Sequence, residues 1–108
     1  MTRLSDFERR FALEGLSTED DGAGGRIESW HKLADLWVAL EPSSSSESFI
    51  AGQRCSEVTH RAVLRYRGLV TPTMRLKSAE RILDITAVYE GERPMRWPVC
   101  HCREVLNP

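Results

Sequence analysis

The residues best suited to chemistry in this chain are the two cysteines and the histidine of Cys100-His101-Cys102. Thiolates and imidazoles bind zinc, usually as two ligand pairs in a tetrahedral site. In a strand, however, Cys100 and Cys102 face one side and His101 the other. A single Cys-x-Cys pair is a weak signal, so we predict two small buried side chains and no bound metal. The other candidate ligands in the chain are Cys55, His31 and His60.

Catalytic groups are equally poorly supported by the sequence. His60 is a candidate general base, but no serine or cysteine nucleophile with an acid partner lies at a recognisable spacing, which favours a structural histidine. Asp20 and Asp21 lie among glycines and are poor acid–base candidates. The run Gly22–Gly25 lacks the Gly-Lys-Ser/Thr ending of a phosphate loop. We therefore expect no catalytic residues, no cofactor and no enzymatic activity.

The length of the chain predicts one domain, residues 1–108. Its 41% apolar and 29% charged residues are ordinary for a globular protein. The net charge of −1 argues against binding nucleic acid by charge alone. Residues 1–53 carry five basic and ten acidic side chains, whereas residues 54–81 carry seven basic and two acidic ones.

No apolar run approaches the ~18 residues of a membrane helix. The odd number of cysteines suits reduced thiols, so we expect synthesis in the cytoplasm and no membrane partner.

The alternating sequence from 57 to 67 predicts a half-buried strand with a basic outer face. Ala62, Leu64 and Tyr66 fall on the core side by the period of two. The predicted basic face, for contact with another subunit or with DNA, consists of Arg61, Arg65 and Arg67. A solvated strand face is the simpler interpretation, and single-stranded nucleic acid would need an exposed aromatic residue on the same side, which this strand lacks.

Similar patterns elsewhere predict a mainly β fold, a small β-barrel or sandwich of five or six strands with at most one short helix. Gly68 and Pro72, before a strand that starts near Met74, indicate a hairpin or meander step. Pro98 indicates an edge position or a bulge. The other predicted strands are Arg10–Leu16, Ala34–Glu41, Met74–Lys77, Arg81–Tyr89 with Leu83, Ile85 and Ala87 on one face, and Arg96–Leu106.

Two segments are expected to be long, mobile loops because they offer little to bury. The first is the acidic, glycine-rich stretch Ser17–Gly25. The second is the serine-rich stretch Ser43–Arg54, helical or irregular over 47–54. In the second segment the predicted partner or channel residues are Ser43, Ser44, Ser45, Ser46, Glu47, Ser48, Phe49, Ile50, Gln53 and Arg54.

The order of these motifs resembles a known family over nearly the whole chain. The motifs are Trp37 with Ala39 and Pro42, then Thr59-His60-Arg61, Arg65-Tyr66-Arg67, Thr71-Pro72, Met74-Arg75 and Arg81–Ile85. This sequence resembles the head–tail joining proteins of tailed bacteriophages, also called head-closure or stopper proteins, with their relatives in gene transfer agents and prophages. The doubled cysteine and the serine run depart from the family pattern.

The resemblance implies a structural subunit of a ring in the neck of a virion or phage-like particle. Such a ring lies between the portal or adaptor complex and the tail, retains packaged double-stranded DNA and docks the tail. The implied partners are further copies of the chain, the portal or adaptor protein, and tail-terminator or tail-tube proteins. The alternatives are an adaptor or tail-terminator subunit, a small nucleic-acid-binding barrel, and a small metal-dependent enzyme.

Overall fold

A computed structural model describes residues 6–50, 52–79, 81–92 and 95–106, without the side chains of 48–50 and 53–55. The regular structure in these residues is almost entirely β, which confirms the predicted fold class. The six strands are β1 (Arg9–Asp20), β2 (Arg26–Ile50), β3 (Gln53–Arg65), β4 (Arg75–Ser78), β5 (Arg81–Glu90) and β6 (Pro98–Leu106).

The strands form one closed antiparallel barrel in the order β1-β2-β3-β6-β5-β4. Alternate side chains of each strand point inward, which gives the chain its period of two and fills the interior. Leu64 and Leu83 are fully buried there and Tyr66 packs against the same cluster, as their positions predicted. The buried members of the core are Phe11, Leu13, Leu36, Val38, Ala62, Leu64, Leu76, Leu83, Ile85, Cys100 and Cys102.

The connection from β3 to β4 is not the hairpin that the turn residues predicted. β3 pairs with β2 and β6, whereas β4 pairs with β1 and β5 on the opposite side of the barrel. The segment 66–74 therefore crosses one end of the barrel, where Tyr66, Val70 and Met74 pack against the core. We call this segment the apolar lid. Turn residues mark a reversal of the chain but do not select the strand that follows as a partner.

β2 is far longer than the predicted strand Ala34–Glu41, and it absorbs both flanking segments. Its 25 residues would extend about 80 Å if straight, whereas the longest dimension of the molecule is 50 Å. The strand bends at two bulges, because Leu33 and Ser43 have no partner between paired neighbours. These bulges let one strand serve two different hairpins.

Each hairpin continues beyond the barrel as a two-stranded ribbon. The pairing of β1 with β4 ends at Glu14, so the first ribbon is formed by residues 15–31. The second ribbon is formed by residues 43–59, where β2 pairs with β3 from Ser44 to Ile50; β6 pairs with β3 as far as Ser56, so residues 48–55 form its two-stranded outer part. Because β2 runs through the barrel between them, the ribbons leave from opposite ends.

These ribbons correct both loop predictions. Ser43–Ile50 and the residues from Gln53 onward are strand, with a turn at Gly52, so the segment is not a loop, and its described part from 47 to 54 is not helical. Ser17 to Asp20 belong to β1, so the first loop is reduced to residues 21–25. A ribbon outside the barrel has no buried face, so its sequence carries no apolar alternation and reads as a loop.

Two strand details also differ from the expectation. Leu83 and Ile85 are buried as predicted, but the register shifts between Ile85 and Ala87. This bulge at Thr86 exposes Ala87 and turns Val88 toward the core, the reverse of the predicted parity. Pro98 is the first residue of β6, a position where its missing N–H is tolerated, rather than an edge or bulge residue.

Candidate functional site

The cysteine pair lies in the barrel core and not in an accessible site. Cys100 and Cys102 are fully buried, and burial raises the pKa of each thiol to about 12. His101 faces outward, with its ring 5.4 Å from that of Tyr89. In the described part of the chain no group of three metal-ligating side chains comes together. The side chain of Cys55 lies outside the described residues, and the absence of bound metal stays a prediction.

His60 belongs to a buried ion cluster at the barrel end opposite the apolar lid. Its Nε2 lies 2.9 Å from Oε1 of Glu104, and Arg81 donates from Nε and Nη2 to the same carboxylate, both at 2.9 Å. Arg81 also lies over the ring of Phe11, 6.0 Å from its centroid. The hydrogen bonds from Arg81, supported by His60, hold the pKa of Glu104 below its ordinary value despite burial. We call these three residues the charged plug.

The charged plug is structural in its geometry. The two oxygens of Glu104 accept three hydrogen bonds, two at Oε1 and one at Oε2, so three of about four lone-pair positions are used within the protein. His60 also pairs with Pro42 at the root of the second ribbon, next to the Ser43 bulge. The Ser43 hydroxyl donates to the carbonyl oxygen of Thr59 at 2.9 Å. The plug and this bond together fix the direction in which the ribbon leaves the barrel.

Sequence reasoning placed His60 correctly on the core side but missed both of its partners. Glu104 lies two residues after Cys102, so the period of two already put it on the inner face. A carboxylate on an inward position needs a paired cation or a hydrogen-bond donor. The sequence could therefore have predicted that Glu104 has a partner. It could not have identified Arg81 as that partner, because this depends on the β5–β6 register.

The second ribbon contains the predicted partner or channel residues. Ser43, Ser44, Ser45, Ser46 and Glu47 are exposed. Within the described residues β1 pairs with β2 only as far as Val38, so the β2 backbone from 39 to 46 has a strand partner on the β3 side alone. The side chains predicted to contribute but lying outside the described residues are Ser48, Phe49, Ile50, Gln53 and Arg54.

The predicted basic face separates into different environments. Arg61 is half-buried and lies beside Glu41 and His101 in the sheet register, whereas Arg65 and Arg67 are exposed. Val63, on the same side, is buried in a small outer cluster. That outer cluster consists of Phe7, Val63 and Val99, with Ala39 and Trp97 packed against it.

Aromatic side chains do accompany these arginines, contrary to the expectation from the strand alone. The Arg67 guanidinium lies over Trp97, 3.8 Å from the ring centroid. Arg65 lies opposite Trp37 in the β2–β3 register, and Trp37 is 42% exposed. Arg10 of β1 reaches the other side of Trp37 at 5.8 Å. Neighbouring strands supply the aromatic rings, which the parity of one strand does not reveal.

The tip of the first ribbon is a hydrogen-bonded turn. The backbone N–H of Gly22 donates to Asp20, and the N–H groups of Ala23 and Gly25 donate to Asp21, all between 2.8 and 3.0 Å. The two bonds to Asp21 hold the pKa of its carboxyl below the ordinary value. Gly22 and Gly24 have φ near +80°, which side chains with a Cβ rarely adopt. The tip therefore presents ionised carboxylates in a defined turn.

The described residues thus form a closed β-barrel with two projecting ribbons. The chain belongs to the phage head completion protein family, whose model matches residues 2–105. This finding confirms the resemblance to phage head–tail joining proteins. Within the described residues, no helix is long and apolar enough to cross a membrane.

Solved structures agree with the family assignment. A chain of the virion of a native gene transfer agent particle superposes with a TM-score of 0.82 at 26% identity, over 100% of both chains. A protein of Shigella flexneri 2a, solved in solution, shares the fold with a TM-score of 0.66 at 22% identity, over 95% of this chain and 96% of that one. No curated protein matches the chain. The family and the virion chain support a structural role in phage head–tail joining.

Proposed function

We propose that this protein is a head-closure, or stopper, subunit of a virion or phage-like particle. Copies of the chain form a ring in the neck, between the portal or adaptor complex and the tail. The ring retains packaged double-stranded DNA and provides the surface on which the tail docks. The observation that carries the proposal is the second ribbon, which projects from the barrel on an anchored root.

The chemistry of this ribbon suits a channel or a subunit contact. Its hydroxyls at Ser43 to Ser46 are neutral, so the ribbon can lie beside DNA without binding phosphates tightly. The β2 edge from 39 to 46, which has no strand partner on one side among the described residues, offers backbone N–H and C=O groups to a strand of another subunit. Such an edge is normally protected in a monomer, so its presence favours a protein that completes the edge on assembly.

The described ionisable groups support a role without catalysis. The buried carboxylate of Glu104 accepts three hydrogen bonds from His60 and Arg81, and the thiols of Cys100 and Cys102 are buried with raised pKa values. No cofactor is required by the proposed function. The partners are further copies of the chain, the portal or adaptor protein, the tail-terminator or tail-tube proteins, and DNA in the channel.

An adaptor or tail-terminator subunit of the same particle is the second candidate. The same barrel and ribbons would serve, but the second ribbon would contact the portal or the tail tube instead of closing the channel. A nucleic-acid-binding barrel is favoured only by the stacking of Arg67 on Trp97 and by the exposed Trp37. The net charge of −1 disfavours it.

The test shortens the second ribbon without unpairing its strands. Glu47 lies opposite Ser56, so residues 48–55 are removed and these two positions are joined by an Asn-Gly turn, which keeps the pairing of β3 with β6. The control keeps the full ribbon and carries Ser45→Thr and Ser46→Thr, which preserve its hydroxyls and its strand propensity. Each variant replaces the natural chain in particle-producing cells, beside a strain that lacks the protein.

Under the proposal, the strain without the protein fills heads that then leak DNA, and unattached tails accumulate. The shortened variant folds and joins the neck but fails to retain DNA, while the threonine control behaves as the natural chain. Full heads with attached tails in the strain without the protein would rule out head closure. Heads that never fill would place the protein at an earlier step, and a shortened variant with normal DNA retention would remove the ribbon from the mechanism.

A further inference from the structure

A row of three side chains crosses the outer barrel wall from β1 to β3. Arg10 and Arg65 lie opposite Trp37 on its two sides in the sheet register, and all three are exposed. An exposed tryptophan between two arginines has the composition of a protein–protein hot spot, in which aromatic and arginine side chains dominate. We call these three residues the cationic row.

The first ribbon carries the complementary surface. Residues 17–29 contain four acidic side chains and one basic one, a net charge of −3. Ile27 is 56% exposed and lies opposite Glu19 near the end of the ribbon. The hydrogen bonds of Asp21 fix the turn in the free chain, so docking needs little further ordering of this segment.

The two surfaces cannot meet within one chain. Arg10 and Asp20 lie near the two ends of β1, and about 33 Å separates them along an extended strand. A paired hairpin does not fold back on itself, so the cationic row must be met by the tip of another molecule. Such a contact joins different surfaces of two copies and propagates head to tail, which is the interface type that closes rings.

We propose that the cationic row is the docking surface for the first-ribbon tip of a second copy of this chain. Ile27 packs on the ring of Trp37, while Glu19, on the same face of the ribbon, lies near Arg10 and Arg65, and Asp20 adds negative charge at the tip. This inference rests on the proposed function, because it names the contact that holds the ring together. DNA fits the row less well, since a duplex offers Trp37 no apolar partner.

The first experiment locates the partner directly. The photo-crosslinking residue p-benzoylphenylalanine replaces Trp37 in one variant and Tyr89, an exposed aromatic residue of β5, in a control. Purified protein at high concentration and assembled particles are both irradiated, and the linked peptides are identified by mass spectrometry. We expect position 37 to link to residues 17–29 of another copy in the particle, and position 89 to give no such product.

Links from position 37 to DNA, to a different protein or to another part of the chain overturn the proposal, as does the absence of any product in particles. Crosslinks from position 37 to residues of another copy outside 17–29 would still show that copies contact each other, and would reject only the contact proposed here. Failure of the proposed function is a separate result, because it is read from DNA retention in the strain without the protein.

The second experiment exchanges the charges. Arg10→Glu with Arg65→Glu makes a row variant, Glu19→Lys with Asp20→Lys makes a tip variant, and Lys77→Glu, at an exposed strand position outside the row, is the control. Each of the first two is expected to weaken association between copies by roughly 30-fold or more, while the control changes it little.

Mixing the two variants provides the decisive result. The tip of the row variant is still acidic and fits the basic row of the tip variant, and the lysine tip of the latter fits the glutamate row of the former. The mixture, and a chain that carries all four substitutions, should therefore assemble again. Variants that fold by circular dichroism yet stay separate when mixed would overturn the proposal, as would unweakened association of either variant alone.

Discussion

The two ends of the barrel are closed in different ways. At one end the apolar lid covers the core with Tyr66, Val70 and Met74, and at the other the charged plug joins Arg81, Glu104 and His60. Apolar closure is non-directional and tolerates small shifts of the residues that form it. Hydrogen-bonded closure fixes positions and depends on ionisation. The end with the directional closure is the one from which the second ribbon emerges, where a fixed geometry matters most.

Substitutions in the core between the two ends are expected to have the largest effects on stability. Leu64→Ala and Ile85→Ala remove side chains that are buried to 97% or more, and each should lower the free energy of unfolding by ~2–5 kcal/mol. Denaturant titration measures the loss. Ile82→Ala, on the exposed side of β5, is the matched control and should change stability by about 0.5 kcal/mol or less. Wild-type stability of both core variants would contradict the strand parity on which both closures are placed.

Removing the carboxylate tests the charged plug. Glu104→Gln keeps the shape of the side chain but removes its negative charge and replaces one of the two acceptor oxygens by an NH2 group that faces a donor, so we expect a loss of about 1–3 kcal/mol at neutral pH. The measurement is denaturant unfolding beside Glu90→Gln, an exposed carboxylate 3.3 Å from Arg96, which should be nearly neutral. Equal effects of the two substitutions would show that the plug contributes no more than a surface ion pair.

The pH dependence of the same variant sharpens the difference between the ends. Because the folded pKa of Glu104 lies below its ordinary value of 4.5, the unfolded chain binds the proton first as the pH falls. The stability from the plug is therefore complete above pH 4.5 and is lost as the pH falls through the folded pKa. The gap in unfolding free energy between wild type and Glu104→Gln should narrow over that range. A gap that stays constant would show that ionisation of Glu104 is not its source.

The apolar lid should respond more weakly and without regard to pH. Met74 is half-buried, so Met74→Ala should cost about 1 kcal/mol, with the same value at neutral and acidic pH. Parallel melts at the two pH values provide the measurement. A pH-dependent cost would mean that the two ends are electrostatically coupled through the core.

The smallest effect is expected in the reactivity of the core thiols. Burial raises the pKa of Cys100 and Cys102 to about 12, so few thiolates are present at pH 8 and alkylation of the folded chain should be negligible at both. Peptide mass spectrometry after iodoacetamide treatment distinguishes the two positions. Cys102 lies beside His60 in the register. Faster labelling of Cys102 than of Cys100 would show that water enters through the charged plug.

The sequence was sufficient for the parts of the fold that have one buried face. In β3 the sequence correctly predicted which side chains point to the core and which to the outside, because a half-buried strand alternates apolar and polar residues. The inward residues are Ala62, Leu64 and Tyr66, and the outward ones are Arg65 and Arg67. The fold class follows from several such strands. The order of the strands does not, since the pairing partners of β3 depend on closure of the whole barrel.

The candidate site was predicted less well, for physical reasons that can be named. Ser43 to Ser46 are exposed and have no buried face, so nothing in the segment distinguishes a projecting ribbon from a loop. The Thr86 bulge inverts the parity of Ala87 and Val88 without a local signal. The cationic row joins side chains of three strands, and its tryptophan becomes its centre only when the register is known.

The continuity of β2 has a mechanical consequence. This one strand forms part of both ribbons and of the barrel wall between them. Ladder hydrogen bonds lie perpendicular to the strands, so a pull along β2 loads many of them together in shear, whereas a pull across a hairpin opens them one after another. In the proposed ring, a force on the second ribbon that is directed along the strand would be spread over the ladders with β1 and β3. The barrel should therefore resist mechanical unfolding best when the force acts along β2, its longest strand.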